Sequence, residues 1–367
     1  MIIHYLATAN IPSKTANSLQ IIKMCDAFVS LGHNVKLIIP NLINKGEKIT
    51  NYYDLKNHIE IIRVWSKSKY IFGFYNFLIP LFLVLRSFKE DKSPFIITRS
   101  LVVSFFLILF KKKHILEIHD DLSIFGSKFS RLYHRFNFLN SSYIIKLIFI
   151  TASLKKYISK KYNYKKKNFL VLPSATDIKN LNKISNKKCF NIGYFGSIYQ
   201  SRGINTIIDL AKRDKSNSYF VYGGNKKDFD KIRYKLNSRN LHIYEQLPFK
   251  KIKKIMTKID VLLMPYTNLV TISGDVGNIY NFMSPMKMFD YLGSGKIIIS
   301  SNIPVLKEIL QDKKNSILIK NYLNVQSWLF EINKLKFNKS RNYLLCKNAF
   351  NTGTKHTWKK RAEKIIN

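Results

Sequence analysis

Three polar residues on an otherwise apolar helix invite a chemical reading. In SPMKMFDYLGSGKIIIS, residues 284 to 300, Ser284, Lys287 and Asp290 recur at three-residue spacing and share one face, while Met286, Met288, Phe289 and Leu292 cover the rest. Ser284 is a good N-cap, and Pro285 fits the first helical position, where its missing N–H costs nothing. The positive end of the helix dipole then points outward with the first amides. Lys287 could hold a phosphate there, and Asp290, one turn on, sugar hydroxyls. A plain surface Lys–Asp pair has the same spacing.

Further stretches could join such chemistry. In GYFGSIYQSRG (193 to 203), Gly196 and Ser197 leave a strand, and glycine lets the backbone approach a ligand. Arg202, just before Gly203 and a helix start, could grip a diphosphate by paired hydrogen bonds, although any tight turn uses glycine. In LEIHDD (116 to 121), His119 ends an apolar strand, and Asp120 and Asp121 could orient it or raise its pKa; a structural histidine is the simpler alternative. In the polar turn IPSKTAN, Asn17 lies at a helix start. No Asp-x-Asp pair stands out, and GDVGN (274 to 278) has one carboxylate, so neither a metal nor a cofactor is expected.

The elements that must position these residues alternate. IIHYLA is an apolar run, SLQIIKMCDAFVSL has helical periodicity stopped by Gly32-His33-Asn34, and VKLIIP is the next strand. PFIITRS, HILEIHD and LIFITAS repeat the strand type, and NFLVLPSATD follows a lysine-rich helical segment. After the polar stretch KNLNKISNKK (179 to 188), the best linker candidate, a second cycle begins: NIGYFGS, the helix INTIIDLAKR, then YFVYGG, LHIYEQL and IDVLLMPY. Both halves are therefore expected to be α/β with parallel, doubly wound sheets, whose switch points would share one cleft.

Composition bounds the partners. Lys+Arg 62 against Asp+Glu 22 gives a net charge of +40, which must attract polyanions, although AT-rich coding bias would also produce much of it. Lysines crowd residues 155 to 167 with Tyr157, Tyr162 and Tyr164 among them, a pattern suited to an anionic bilayer. IFGFYNFLIPLFLVL (71 to 85), interrupted by Asn76 and Pro80, is short for a spanning helix; core packing and interfacial seating are the alternatives. Cys25, Cys189 and Cys346 form neither a disulfide framework nor a zinc-like spacing, and no signal peptide is visible, so a cytoplasmic location is expected.

The stretches quoted, in their order along the chain, resemble glycosyltransferase family 4, the retaining group 1 transferases of the GT-B fold. IPSKTANSLQIIKMCDAFVSLGHNV resembles the family's opening loop and helix, LEIHD its central strand, VLPSATDI its interdomain crossing and IGYFGSIYQSRGI its second-domain start. SPMKMFDYLGSGKIIISSNIPVLKEIL resembles the donor helix of a bacterial branch reading Ser-Pro-x-Lys-x-Phe-Glu-Tyr. The resemblance implies two Rossmann-like domains: an acceptor domain over 1–172, joined by a returning helix over 350–367, and a nucleotide-sugar domain over 173–349.

It further implies that Arg202 and Lys287 neutralise the donor diphosphate, with Gly196, Ser197, Ser284 and the helix start at Pro285 and Met286 nearby. Asp290 would take the ribose, His119 the transferred sugar or reaction centre, and Asn17 and Asp120 the loop or acceptor side. Asp290 stands where the family has glutamate, Phe282 where it has another glutamate, and Ser197 where a basic residue is frequent. The implied activity is metal-free transfer, with retention, from a nucleoside-diphosphate sugar to a lipid-linked or saccharide acceptor in bacterial surface polysaccharide (capsule, O-antigen or exopolysaccharide) synthesis, peripheral to the inner face of the cytoplasmic membrane. A GT-B-fold sugar-nucleotide epimerase is an alternative. A basic nucleic-acid-binding protein is a lesser alternative: the basic residues form no recognisable recognition module, so nucleic acid is not the expected partner.

Overall fold

The apolar runs become the strands of two parallel sheets. The structure, a computed structural model, describes residues 1–367 except 42–48, 65–73, 123–130, 132, 166–167, 182–188, 233–236 and 272–277. The chain divides into two compact units, Met1–Pro173 with Trp358–Asn367, and Ser174–Thr357.

In the first unit β1 (Ile2–Leu6), β2 (Asn34–Pro40), β3 (Glu60–Val64), β4 (Phe95–Thr98), β5 (His114–Ile118), β6 (Ile144–Phe149) and β7 (Phe169–Val171) pair in the order β3-β2-β1-β4-β5-β6-β7. Every pairing is parallel. Strands covered on both faces read as unbroken apolar runs, which is why PFIIT and LIFI carry no polar alternation. Around this sheet lie α1 (Ala16–Ser30), α2 (Ile49–Tyr53), α3 (Phe74–Glu90), α4 (Leu101–Leu109) and α5 (Ala152–Lys161). Thr15 caps α1 by accepting from the Ser18 amide, and Ser100 caps α4 by accepting from Val103.

The second unit repeats the winding. β8 (Asn191–Phe195), β9 (Ser218–Tyr222), β10 (Leu241–Tyr244), β11 (Val261–Met264), β12 (Ile297–Ser301) and β13 (Ile317–Ile319) run in the order β10-β9-β8-β11-β12-β13, all parallel. Its helices are α6 (Ile204–Arg213), α7 (Lys226–Asp230), α8 (Phe249–Met256), α9 (Met286–Gly293), α10 (Val325–Lys334) and α11 (Lys339–Gly353). One core packs Ile207, Ile208 and Trp328 on one face of the sheet; another packs Met288, Phe289 and Leu292 of α9 on the other. In each unit the strand order reverses once, between β1 and β4 and between β8 and β11, and ligand crevices open beyond the carboxyl ends of strands at such points.

Some expectations change here. The chain crosses between units at Pro173–Ser174, inside VLPSATDI, not in the polar stretch 179–188, whose residues 182–188 lie outside the described set. The helix expected over 350–367 is two helices: α11 ends at Gly353 within the second unit, and α12 (Trp358–Ile366) belongs to the first. Between them the His356 carbonyl accepts from the Thr176 amide, and its ring meets Phe289 at 5.3 Å, which holds the linker against α9.

The lysine-rich segment is not an exposed aromatic patch. Tyr162 and Tyr164 are buried, and Lys161 pairs with Asp121 at 2.6 Å; Lys166 and Lys167 lie outside the described residues. Residues 74–85 of the apolar stretch belong to α3, which buries Leu83 and Val84 against α4 and the sheet. Among the described residues no helix is long and apolar enough to cross a membrane.

Candidate functional site

Two polar clusters lie at carboxyl ends of strands, one in each unit. In the second unit, β8 leaves the sheet through Gly196, whose φ of +147° suits glycine. A Cβ added there would stand 3.1 Å from Lys287 Nζ, so the ammonium lies directly against this turn. The Tyr194 hydroxyl donates to the Ser197 carbonyl at 2.7 Å and fixes the turn from beneath. The next turn, Gln200–Arg202, ends at Gly203 with φ +83°, where a Cβ would fall 1.7 Å from the Pro265 carbonyl oxygen. Only glycine allows that approach, and it draws Arg202 onto the loop after β11.

Arg202 donates through Nη2 to the Thr271 carbonyl and holds its guanidinium carbon 5.6 Å from the centre of the Tyr266 ring. Its Nε is buried without a partner among the described residues. Lys287 Nζ lies 3.9 Å from the Tyr194 ring centre and 4.8 Å from that of Tyr266. Among the described residues it has no carboxylate partner, so the alternative of a Lys287–Asp290 pair is not realised. Burial, and then the nearby Arg202 charge, push its pKa well below the usual lysine value. Two cationic side chains with no acid between them suit a polyanion such as a diphosphate.

The helix that carries Lys287 starts one residue later than its spacing suggests. Pro285 is the N-cap, and the Met288 amide donates to its carbonyl at 3.0 Å. Ser284 therefore does not cap the helix. Its hydroxyl accepts from the Ser174 amide at 2.9 Å, and its carbonyl accepts from the Ser174 hydroxyl at 2.8 Å. Because proline has no N–H, the donors at this start are Met286 and Lys287, not Pro285. Asp290 accepts a 2.6 Å hydrogen bond from Thr176, which fixes one carboxylate oxygen. Tyr194, Tyr266 and Thr176 are absent from the sequence reading: the tyrosines look like ordinary strand-end apolar residues, and Thr176 is more than a hundred positions from Asp290.

In the first unit a pocket of about 190 Å³ opens beyond β1, β4 and β5, lined among others by Asn17, Arg99, Glu117, His119 and Asp120. The expected orienting role of Asp120 and Asp121 is not what the structure shows. His119 Nε2 bonds Glu117 Oε1 at 2.5 Å, and the same oxygen accepts from Gln20 at 2.8 Å and from Arg361 Nη2 at 2.8 Å. Arg361, on α12, adds Nη1 to Oε2 at 3.2 Å. Burial opposes the Glu117 charge, but Arg361, His119 and Arg99 outweigh it and hold the carboxyl below the usual range.

The His119 pKa is lowered, not raised: burial first and Arg99 second bring it to about 4, against the pull of Glu117. The imidazole is thus neutral at pH 7, and a proton on Nε2 facing Glu117 leaves Nδ1 as an acceptor. Burial raises Asp120 to about 6. Asp121 is structural, accepting from Lys161, Tyr157 and Tyr162. A charged residue inside the buried strand HILEI is the signal that could have found Glu117, since a buried carboxylate needs partners.

Comparison with solved structures extends over both units. The chain is similar to HepE from Anabaena in complex with UDP and glucose, with 16% identity over 99% of this chain and 98% of that one and a TM-score of 0.71. It is also similar to WaaG, a glycosyltransferase involved in lipopolysaccharide biosynthesis (16% identity, 99% and 98% covered, TM-score 0.68). A third similar structure is sucrose-phosphate synthase from Thermosynechococcus elongatus (12%, 100% and 97%, TM-score 0.75). The fold is GT-B. Within this GT-B chain, residues 173–352 match the profile of the family described as glycosyl transferases group 1. That match includes Gly196, Arg202, Ser284, Lys287 and Asp290. No curated protein sequence matches the chain.

Proposed function

We propose that this GT-B chain is a retaining, family 4 glycosyltransferase moving a sugar from a nucleoside-diphosphate sugar to a lipid-linked or saccharide acceptor in bacterial surface polysaccharide synthesis. The observation that carries the reading is the pair Lys287 and Arg202, two cationic side chains facing one ring with no acid between them, inside the segment matching the group 1 profile. The complexes of HepE with UDP and of HepE with UDP-glucose support a nucleotide donor by likeness, and the role of WaaG supports a surface-polysaccharide acceptor by likeness.

On this reading the diphosphate lies against Lys287, Arg202, the Gly196–Ser197 turn and the amides of Met286 and Lys287, while Asp290, steadied by Thr176, holds the ribose. As the glycosidic bond breaks, charge grows on the leaving phosphate, and fixed cations and amides stabilise it without reorganising. The leaving phosphate accepts the proton of the attacking hydroxyl on the same sugar face, so no protein nucleophile is needed. His119 presents Nδ1 to a sugar hydroxyl, with Asn17 and Asp120 on the acceptor side of its pocket. Transfer proceeds without a metal and takes place at the inner face of the cytoplasmic membrane.

The test is isothermal titration with UDP, GDP and their sugars, followed by turnover with a polyprenyl-linked acceptor. Binding of one nucleotide together with its loss in Arg202→Ala supports the reading. Absence of binding by every nucleotide overturns it. Consumption of the nucleotide sugar without any acceptor would favour an epimerase instead.

A further inference from the structure

Large apolar side chains gather on one surface of the first unit. Leu85 on α3 is 45% exposed, Leu109 and Phe110 at the end of α4 are 56% and 41% exposed, and Phe136 is 59% exposed. Helix spacing and ring contacts link them. Leu85 lies one turn before Phe88, whose ring meets Phe110 at 5.7 Å. Leu109 lies one turn after Phe105, whose ring meets Phe138 at 5.3 Å, and Phe138 meets Phe136 at 5.8 Å.

The charge beside this surface has one sign. Leu109 and Phe110 run directly into Lys111, Lys112 and Lys113, all exposed, and Lys112 Nζ lies 5.0 Å from the Phe88 ring centre. No acid occurs between Asp91 and Glu117. The nearest acids on α3 and just after it are taken: Glu90 pairs with Arg86 at 2.5 Å, and Asp91 with Lys36 at 2.9 Å and His4 at 2.8 Å. Lys113 leads directly into β5, so the basic tip lies at the amino end of that strand, whereas the His119 pocket opens at its carboxyl end. A contiguous apolar patch on a soluble surface marks an interaction site.

We propose that the ends of α3 and α4, with Leu85, Leu109, Phe110 and Phe136 as the inserting side chains and Lys111–Lys113 as the headgroup contact, are the surface by which this protein seats on an anionic bilayer. An apolar face bordered by lysines is what the boundary between acyl chains and anionic headgroups takes up. A second copy of this chain fits less well, because the net charge of +40 opposes bringing two lysine clusters together. The inference rests on the reading of a membrane-peripheral transferase, and it replaces the lysine-rich segment of α5, whose Tyr162 and Tyr164 are buried, as the docking surface.

The test is vesicle co-sedimentation of the full chain with phosphatidylglycerol-containing and pure phosphatidylcholine liposomes, at two salt concentrations. The wild type binds the anionic vesicles at least tenfold more tightly, and more weakly at high salt. Leu109→Gln with Phe110→Gln loses at least tenfold of that binding, and replacing Lys111, Lys112 and Lys113 by Gln weakens both the binding and its salt dependence. Urea unfolding of the same variants matches the wild type, which shows that the first unit is folded, and their nucleotide titration stays at wild-type values, which separates failure here from failure of the donor reading. Equal binding to both vesicle types overturns the proposal. So does loss of binding in Lys156→Gln with Lys160→Gln while the Leu109 and Phe110 variant is unaffected, or a dimer that the Leu109 and Phe110 changes dissociate.

Discussion

Lys287 and Arg202 face the same aromatic ring, that of Tyr266, at 4.8 and 5.6 Å, although 85 positions separate them in the chain. Their mutual repulsion, added to burial, depresses the Lys287 pKa. A bound diphosphate reverses that repulsion and raises it. Donor binding should therefore take up a proton, and affinity should fall as the pH rises above the free-state pKa of Lys287. Titrations in two buffers of different ionisation enthalpy measure the uptake. It should vanish in Lys287→Ala, which also loses at least tenfold in affinity, as does Arg202→Ala. An unchanged buffer dependence in Lys287→Ala would sink the assignment.

Asp290 reaches its place through Thr176, whose hydroxyl holds one oxygen at 2.6 Å. A hydrogen bond to a charged group is worth about 1.5–3 kcal/mol, tenfold or more in binding. Asp290→Asn should weaken binding of the nucleoside diphosphate by about tenfold and leave inorganic pyrophosphate unaffected, because the ribose is absent from the latter. Thr176→Val should show a few-fold effect in the same direction. Equal losses for both ligands would place Asp290 outside the ribose contact.

Arg361 and Glu117 are the buried ion pair of the first unit, joined by hydrogen bonds of 2.8 and 3.2 Å. Arg361 also donates to the Pro173 carbonyl at 2.9 Å and so ties α12 to the last residue before the crossing. Arg361→Met leaves the buried Glu117 carboxylate without its guanidinium partner and should cost about 3–5 kcal/mol in urea unfolding. Adding Glu117→Gln removes the stranded charge and should recover part of that loss. A double variant no more stable than the single one would mean that the packing of Arg361, not its charge, holds the helix.

The fold was legible because its central strands are buried on both faces and stand as apolar runs between helical periods: IIHYL, PFIIT, HILEI and VLLM each became a strand. The edge strands β3 and β13 were not, since EIIRV and ILI are short and sit among polar residues. Lys287, Arg202 and Gly196 were legible as a group because glycine turns and a helix start punctuate the local sequence. Their common ring, Tyr266, and the Thr176 contact were not, because they depend on residues that only the sheet brings near. His119 is legible as a strand-end histidine but its partner is not: adjacency in sequence favours Asp120 and Asp121, while strand alternation puts Glu117, two residues back, on the same side.

On the proposed reading, the charge that Arg202 and Lys287 bring to the leaving phosphate takes the place of a metal ion. Turnover should stay within about twofold in excess EDTA, and added magnesium should not restore activity to Lys287→Ala. Loss of turnover in EDTA, with recovery on adding a divalent ion, would show that the two side chains do not suffice.

Acid should act on the first unit through two neighbours of opposite sign. His119 titrates near 4 in the folded chain against 6.5 unfolded, so the stability of its neutral form is complete above 6.5 and is lost as the pH falls toward 4. Between pH 7.5 and 5 that loss is about 2 kcal/mol. Asp120, raised to about 6 from 3.8, binds its proton first in the folded chain and returns about 1 kcal/mol over the same interval. Glu117, held low, contributes stability that is fully present above its unfolded value of 4.5, so it stays nearly constant over this interval. His119→Asn should therefore lose about 2 kcal/mol less than the wild type on going from pH 7.5 to 5, because the contribution of the buried neutral imidazole is gone. Urea unfolding of both proteins at the two pH values reads the difference. Parallel pH profiles would show that His119 is not the buried neutral imidazole inferred here.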